Sequence, residues 1–177
     1  MRLVKGGRVI EDRFVRLLDG APAPDGVPVI APAERFLADE AELIARPAPT
    51  GVLWPNNRKV AELAPHLGGL ALVALVFPRF SDGRAYSQAR LIRERYGFRG
   101  ELRATGDVLR DQFTFLLRSG FDAFEVKKDA DAAAFAEASA RYSVFYQPTG
   151  DGRVSMLRER VMGLRKANIA SSSARVS

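Results

Sequence analysis

Residues 77–126 read FPRFSDGRAYSQARLIRERYGFRGELRATGDVLRDQFTFLLRSGFDAFEV. Two polar turns, Ser81–Arg84 and Thr105–Asp107, each follow a strand-like run and precede a helix-like run, and Ser119–Gly120 ends the second helix before a further strand. Repetition of a strand, a polar turn, a helix and a short turn is typical of βα units in a parallel sheet. The pattern therefore predicts an α/β fold in which both polar turns lie at the carboxyl ends of strands, where such folds bind ligands.

The same alternation extends to both sides of this stretch. Leu70–Phe77 is an uninterrupted apolar run, which suits a central strand that is covered on both faces. Phe121–Val126 alternates apolar and acidic residues, which predicts a half-exposed strand nearer the edge of the sheet. About five parallel βα units follow, with core strands that begin near Val29, Val52, Leu70, Glu101 and Phe121. This count fits an open doubly wound sheet or a partial (β/α) barrel, and the sequence leaves both open.

Composition shifts divide the chain into three predicted segments. Residues 1–28 form a small N-terminal β-hairpin, with Gly6-Gly7 as its turn, and a loop rich in proline and glycine. Residues 29–148 form the α/β core domain. Residues 149–177 form a basic tail that is expected to be partly disordered, because it begins with a PTGDG linker and ends in ASSSARVS.

The residue inventory excludes several kinds of chemistry. The chain has 177 residues, no cysteine and one histidine, His66, so disulfides, cysteine nucleophiles and zinc-finger spacing are absent. His66 lies beside an apolar helix stripe, which predicts a surface or edge residue rather than a metal ligand. No Walker motif, EF-hand-type loop or dinucleotide fingerprint is present. We therefore predict neither a metal site nor a cofactor.

The chain carries no segment that indicates a membrane. No apolar run approaches the roughly 20 residues of a membrane-spanning helix. The N-terminus lacks the apolar segment of a signal peptide. A soluble, cytoplasmic protein without a membrane partner is expected, and the oligomeric state is left open.

The positive charge is concentrated in two regions. The formal net charge is +6, and residues 79–103 and 150–177 each carry a net charge of +4. Such regions attract an acidic protein surface, a small anion or nucleic acid, and the plain alternative is a solvated surface. Nucleic acid is the least expected of these partners, because the arginines are interleaved with acids and no aromatic stacking platform is evident.

The predicted carboxyl ends of the strands bring polar residues together on one rim. Asn56 and Asn57 follow one strand, and Lys127 and Lys128 follow another. Helix N-termini after Gly83 and Gly106 would offer free N–H groups to an anion. Arginine side chains on the same rim would bind phosphate, sulfate, sulfite or a carboxylate. The candidate residues for anion binding are Arg79, Ser81, Asp82, Gly83, Arg84, Arg103, Thr105, Gly106 and Asp107.

Asp82 and Asp107 also admit two other interpretations. They would cap helices and pair with the neighbouring arginines, which is a structural role. Alternatively, they would act as a catalytic carboxylate pair for acid–base work, in a small-molecule enzyme that also uses Arg84 and Arg103. Nothing in the sequence sets the separation of the two carboxylates.

Several motifs resemble those of a known family. DGRAYSQAR, GELRATGDVLRDQ and GFDAFE follow one another in the expected order, with VFPRF before them and YQ after them. In these motifs the chain resembles a family of small bacterial proteins of unknown function, over roughly Gly51 to Gln147. That family is typically encoded beside genes for assimilatory sulfite or nitrite reductase, and its members are often labelled oxidoreductases. Relatives often have cysteine where this chain has Ser119, so a cysteine-based mechanism is not available here.

The resemblance implies a link to sulfite reduction and sulfur assimilation. Electron transfer requires a carrier, and this chain shows no cysteine and no flavin or nicotinamide fingerprint. We therefore expect an accessory or interaction protein of the sulfite reductase system, with an oxyanion-binding rim and a basic tail that docks on an acidic reductase surface. The alternative is the small-molecule enzyme described above, and whether the chain is an enzyme is left open.

Overall fold

One curled sheet forms the centre of the molecule. In a computed structural model, residues 2–18, 20–127, 130, 132–135 and 137 are described. Their strands follow the order β2-β1-β8-β7-β6-β5-β4-β3 across the sheet. The strands are β1 (Arg2–Lys5), β2 (Arg8–Ile10), β3 (Val15–Arg16), β4 (Val29–Pro32), β5 (Thr50–Trp54), β6 (Leu72–Phe77), β7 (Glu101–Gly106) and β8 (Ala123–Val126).

The strand order distinguishes between the two predicted architectures. Strands β3 to β8 are parallel and lie in chain order, while β1 pairs antiparallel with β8 and with β2. Because the order does not reverse, right-handed crossovers place the connecting helices on the same face of the sheet. The sheet is therefore an open half-barrel rather than a doubly wound sheet. The predicted α/β class, the parallel βα units and the N-terminal hairpin are confirmed.

Short helices cover the outer face of this half-barrel. Two of these helices, Ala33–Ala38 and Glu40–Ala45, meet at Asp39, where the chain bends. Turns of 3-10 helix occur at Ala64–Gly69 and Arg110–Gln112, and a π-helical turn occurs at Leu91–Arg95. The α-helices are α1 (Ala33–Ala38), α2 (Glu40–Ala45), α3 (Val60–Leu63), α4 (Arg84–Arg90) and α5 (Phe113–Arg118).

The apolar core lies between the sheet and these helices. Alternate side chains of β6 show the division: Val73, Leu75 and Phe77 belong to the large core under the helices, whereas Leu72 and Ala74 belong to a small cluster on the inner face. A strand places successive side chains on opposite faces, so a continuous apolar run is needed only where both faces are covered. The run Leu70–Phe77 therefore marks the centre of the half-barrel, as predicted.

Strand β8 differs from its predicted place. The sequence predicted a half-exposed strand nearer the edge, but β8 lies between β7 and β1, and its four residues are all buried. The hairpin β1–β2 adds two strands beyond β8, which the local pattern of FDAFEV does not reveal. Glu125 is 5% exposed because it faces the inside of the half-barrel, where arginine side chains neutralise it.

Some expectations lie outside the described residues. The proposed tail, residues 149–177, is among them, and the predicted segment boundaries stay predictions. Among the described helices, none combines the length and the apolar character that crossing a bilayer requires.

Gly106 provides a test of the close packing between β6 and β7. Its φ is +96°, and an added Cβ would lie 2.4 Å from the carbonyl oxygen of Phe77. We expect Gly106→Ala to lower the free energy of unfolding by about 3 kcal/mol, because backbone strain and a backbone clash act together. Equilibrium urea denaturation measures this loss. The control is Gly97→Ala, where φ is +65° and no heavy atom lies within 4 Å; a loss of about 1 kcal/mol is expected there. Equal losses at both positions would contradict the steric argument.

Candidate functional site

The loops after β6 and β7 are joined at the carboxyl edge of the sheet. Asp107 Oδ2 accepts the backbone N–H of Phe80 at 3.0 Å, and Gln112 Nε2 donates to the carbonyl oxygen of Phe80 at 2.6 Å. Lys127 Nζ donates to Asp107 Oδ1 at 3.2 Å. These bonds connect three strand ends into one rim. Asp107 therefore braces the two loops, and its carboxylate is already engaged on both oxygens.

Asp82 and Arg84 form a tight pair on the same rim. Arg84 Nη2 lies 2.6 Å from Asp82 Oδ2, and Arg84 Nε and the backbone N–H of Arg84 both donate to Asp82 Oδ1. The Arg84 guanidinium, with a smaller contribution from the Asn56 amide, holds the pKa of Asp82 well below its usual range. Lys127 and the Phe80 N–H likewise lower the pKa of Asp107. Both carboxylates are therefore ionised at neutral pH.

The predicted candidates divide between the rim and the interior. Arg79, Ser81, Asp82, Gly83 and Arg84 lie in the loop after β6 or at the start of α4, as expected. Arg103 and Thr105 do not lie on the rim; they point into the half-barrel and are 1% and 3% exposed.

The helix expected directly after Gly106 is also absent, because the next helical turn begins at Arg110. Gly106 itself ends β7 and packs against Phe77. The N–H groups predicted to bind an anion after Gly106 are therefore not those of a helix N-terminus. The residue that follows, Asp107, donates its own backbone N–H to the carbonyl oxygen of Phe77 at 2.7 Å.

Arg103 is buried and lies at the centre of a cluster of charged side chains. Its Nη1 lies 2.6 Å from Asp12 Oδ2 and 3.1 Å from Glu125 Oε1, and its Nε donates to Glu101 Oε1 at 2.8 Å. Burial alone would lower the pKa of Arg103, but the carboxylates of Asp12 and Glu101 outweigh it and raise the pKa. Three carboxylates therefore fully engage this guanidinium, which leaves it unsuited to bind a further anion.

Arg16 closes the cluster from the opposite edge of the sheet. It belongs to β3, yet its Nη2 lies 2.6 Å from Glu125 Oε2 on β8 and 2.8 Å from Thr105 Oγ1 on β7. Thr105 Oγ1 also donates to Glu125 Oε2 at 2.6 Å. Only a curled sheet brings β3 this close to β8. Sequence reasoning missed Asp12, Arg16 and Glu125, although the acidic position inside FDAFEV was a signal for a buried partner.

A pocket lies on the outer side of the same carboxyl edge. We call it the β5–α4 pocket: a cavity of about 380 Å³ between residues 56–61, after β5, and the helix that begins at Arg84. Gln88 Nε2 donates to the carbonyl oxygens of Pro55 at 3.1 Å and of Arg58 at 2.8 Å. These two bonds hold the loop against the helix, so the pocket has a fixed wall.

The charges in the wall of the β5–α4 pocket are all positive. Among the described residues, its lining includes Arg58, Lys59, Arg84 and Arg95 and no carboxylate. Arg58 pairs with Glu34 and Glu62, and Arg84 pairs with Asp82. Lys59 and Arg95 make no ion pair within the part of the chain that the structure describes, and Arg95 lies over the ring of Tyr96 at 5.8 Å from its centroid. Two cations are therefore available to an anion.

Metal ligation has no candidate cluster in the described ranges. No group of three or more His, Cys, Asp or Glu side chains within them is arranged to hold a metal ion. His66 Nδ1 lies 2.9 Å from Glu40 Oε1, and the His66 ring packs edge-on against Phe36. His66 therefore lies at the contact between α2 and the turn Ala64–Gly69, in agreement with its predicted edge position.

Removal of Arg103 tests the buried cluster. We expect Arg103→Leu to lower the free energy of unfolding by about 3–5 kcal/mol, because buried carboxylates lose their common cation. Lys5→Met is the control: its partner Glu101 is shared, but Lys5 is 43% exposed, so a loss of about 1 kcal/mol or less is expected. Denaturant titration measures both values at neutral pH.

Comparison with known proteins identifies the family to which the chain belongs. No curated protein matches the chain. A family model described as "Bacterial protein of unknown function (DUF934)" matches residues 51–157. The matched span contains β5 from its second residue, strands β6 to β8, the rim and the β5–α4 pocket, whereas Asp12 and Arg16 precede it. Because the match covers more than half of the 177 residues, the chain belongs to this bacterial family of unknown function.

Proposed function

We propose that the protein is an accessory protein of assimilatory sulfite reduction that binds a small oxyanion at the carboxyl edge of its sheet and docks on the sulfite reductase. One observation carries the anion-binding part. Lys59 and Arg95 lie in the wall of a pocket that includes no carboxylate, and neither makes an ion pair within the described residues. Exposed cations that converge on one cavity attract an anion by Coulomb forces and by charge-assisted hydrogen bonds.

The state of the rim carboxylates favours binding over acid–base chemistry. A general acid or base works best with a pKa near the operating pH. The pKa values of Asp82 and Asp107 are both lowered, and each carboxylate has its own cation. The alternative function, a small-molecule enzyme that uses Asp82 and Asp107 as a catalytic pair, gains no support from these pKa directions.

Two features of the sequence support the sulfite reductase as the partner. The motifs DGRAYSQAR, GELRATGDVLRDQ and GFDAFE resemble those of proteins encoded beside assimilatory sulfite reductase genes. Residues 150–177 carry six basic residues against two acidic ones. A basic segment of this kind would steer the protein toward an acidic surface on the reductase.

Co-elution with the sulfite reductase of the same organism tests the docking. We expect the two proteins to elute together at low salt, with altered reductase turnover, and to separate at ~1 M salt, where the screening length is about 3 Å. The variant R153A/R158A/R160A should weaken the complex about tenfold or more. The matched control is R8A/R90A/R99A, which removes the same charge from exposed positions elsewhere. Equal weakening by both variants would contradict docking through the tail, and separate elution with unchanged turnover would contradict the accessory role.

Thermal denaturation tests the oxyanion site. We expect sulfite, sulfate or phosphate in excess of its Kd to raise Tm, because a ligand that binds only the native state stabilises it. Lys59→Ala and Arg95→Ala should each reduce the rise, since both side chains are exposed and line the β5–α4 pocket. Arg90→Ala and Arg99→Ala, exposed and outside the pocket lining, serve as controls. An equal Tm rise in all four variants would show that the anions act by a general salt effect.

A further inference from the structure

One helix face forms an accessible wall of the β5–α4 pocket. It runs along α4 and the π-helical turn that follows, and its exposed residues that line the cavity are Arg84, Ser87, Leu91 and Arg95. Their spacings of three and four residues place them on the same side of the helix. A ligand inside the cavity therefore has direct access to this face.

Apolar side chains contribute accessible surface on both sides of the cavity. Leu91 is 41% exposed, and on the opposite side, in residues 56–61, Ala61 is exposed and lines the cavity. Within the π-helical turn the Tyr96 N–H donates to the Leu91 carbonyl oxygen at 3.0 Å, and this wider turn brings Tyr96 into the lining beside Leu91. Such turns frequently interrupt α-helices at functional sites. The cavity is therefore bounded by apolar groups that a ligand can contact.

Positive charge lies beside this apolar surface. Lys59 and Arg95 are exposed, line the same cavity and make no ion pair within the described ranges. The Arg95 guanidinium lies 5.8 Å from the centroid of the Tyr96 ring, so a cation and an apolar group are neighbours. An inorganic oxyanion would use the cations alone, because its surface consists of polar oxygens and gains nothing from contact with apolar carbon. A ligand that uses the whole lining therefore carries both an anionic and an apolar part.

We propose that the β5–α4 pocket binds an organic anion, in which an oxyanion head group is attached to a compact apolar body such as a single ring. Lys59 and Arg95 would bind the head group through charge-assisted hydrogen bonds. The body would contact Leu91 and Ala61 and thereby remove their apolar surface from water. A volume of about 380 Å³ suits one small organic molecule. The inference rests on the proposed anion-binding function of the same pocket and names the class of its ligand.

An NMR chemical-shift titration of the full chain tests the ligand class. The probes are methanesulfonate and benzenesulfonate, which share a head group and a charge, together with sulfite, sulfate, phosphate and benzyl alcohol, all at one ionic strength. We expect benzenesulfonate to bind about tenfold or more tightly than methanesulfonate, because only its ring reaches the apolar surface. Benzyl alcohol, which has the ring without the charge, should bind about tenfold or more weakly than benzenesulfonate.

Substitutions at exposed positions of the lining separate recognition of the body from recognition of the head group. Leu91→Ser should lower the ratio of benzenesulfonate affinity to methanesulfonate affinity about threefold or more, since it removes apolar surface and no charge. Lys59→Ala and Arg95→Ala should each weaken both sulfonates about tenfold. The controls are Phe115→Ser, at a residue that is 64% exposed and outside the lining, and Arg90→Ala, which is also exposed and outside it. Both controls should leave the affinities unchanged.

The possible results distinguish this inference from the function on which it rests. If sulfite binds through Lys59 and Arg95 but benzenesulfonate binds no more tightly than methanesulfonate, the organic-anion inference is overturned and the anion-binding function stands. If benzenesulfonate binds in this pocket while sulfite, sulfate and phosphate do not, the inference stands and the inorganic ligand is wrong. If no probe binds, both are wrong. If benzyl alcohol binds as tightly as benzenesulfonate, or if Leu91→Ser, Lys59→Ala and Arg95→Ala all leave the Kd of benzenesulfonate unchanged, the inference is overturned.

Discussion

The buried contact of Arg103 with Asp12, Glu101 and Glu125 is the interaction on which the half-barrel depends. A complete (β/α)₈ barrel fills its interior with layers of side chains from all eight parallel strands. This sheet is open, so β7 and β8 would face a half-empty interior. The segment that carries Asp12 and Arg16 crosses that interior and brings charged groups to meet those of β7 and β8. Together with Lys5, which pairs with Glu101, the cluster balances three cations against three carboxylates, so the charge can be buried at tolerable cost.

Because these charged side chains pair with one another inside the half-barrel, the cations that remain able to bind a ligand lie elsewhere. Arg103, one of the three arginines that the sequence placed on the rim, is engaged inside the half-barrel, and Asp107 braces two loops. The cations without an ion pair among the described residues, Lys59 and Arg95, lie instead on the outer side of the carboxyl edge, between the loop after β5 and α4. The β5–α4 pocket lies beyond the carboxyl ends of parallel strands, where such folds bind ligands. Asn56, which lines it, follows β5 and was among the residues that the sequence placed on this rim.

The sequence predicted the βα units well because each depends on local patterns. The apolar run of β6 and the glycine-rich turns carry their own signals within a few residues. Arg103 and Asp12, in contrast, are 91 residues apart in the sequence, yet their side chains form a hydrogen bond. Local sequence periodicity contains no information about a contact between residues so far apart. Glu125 was assigned to an exposed edge for the same reason. Gln88 carried a local signal that sequence reasoning missed: it lies on the helix face of Ala85 and Ile92, where a polar residue needs hydrogen-bond partners.

The distribution of the arginines bears on the kind of partner. Residues 79–103 carry a net charge of +4, but much of that charge does not face outward. Arg103 forms ion pairs with Glu101 and Glu125 inside the half-barrel. Arg93 donates to three backbone carbonyl oxygens and pairs with Asp122. The field outside the protein is therefore weaker and more local than the composition implies. A polyanion needs a broad row of cations along its backbone, whereas one small anion needs two or three that converge. The convergence of Lys59 and Arg95 on a single cavity favours a small ligand over nucleic acid.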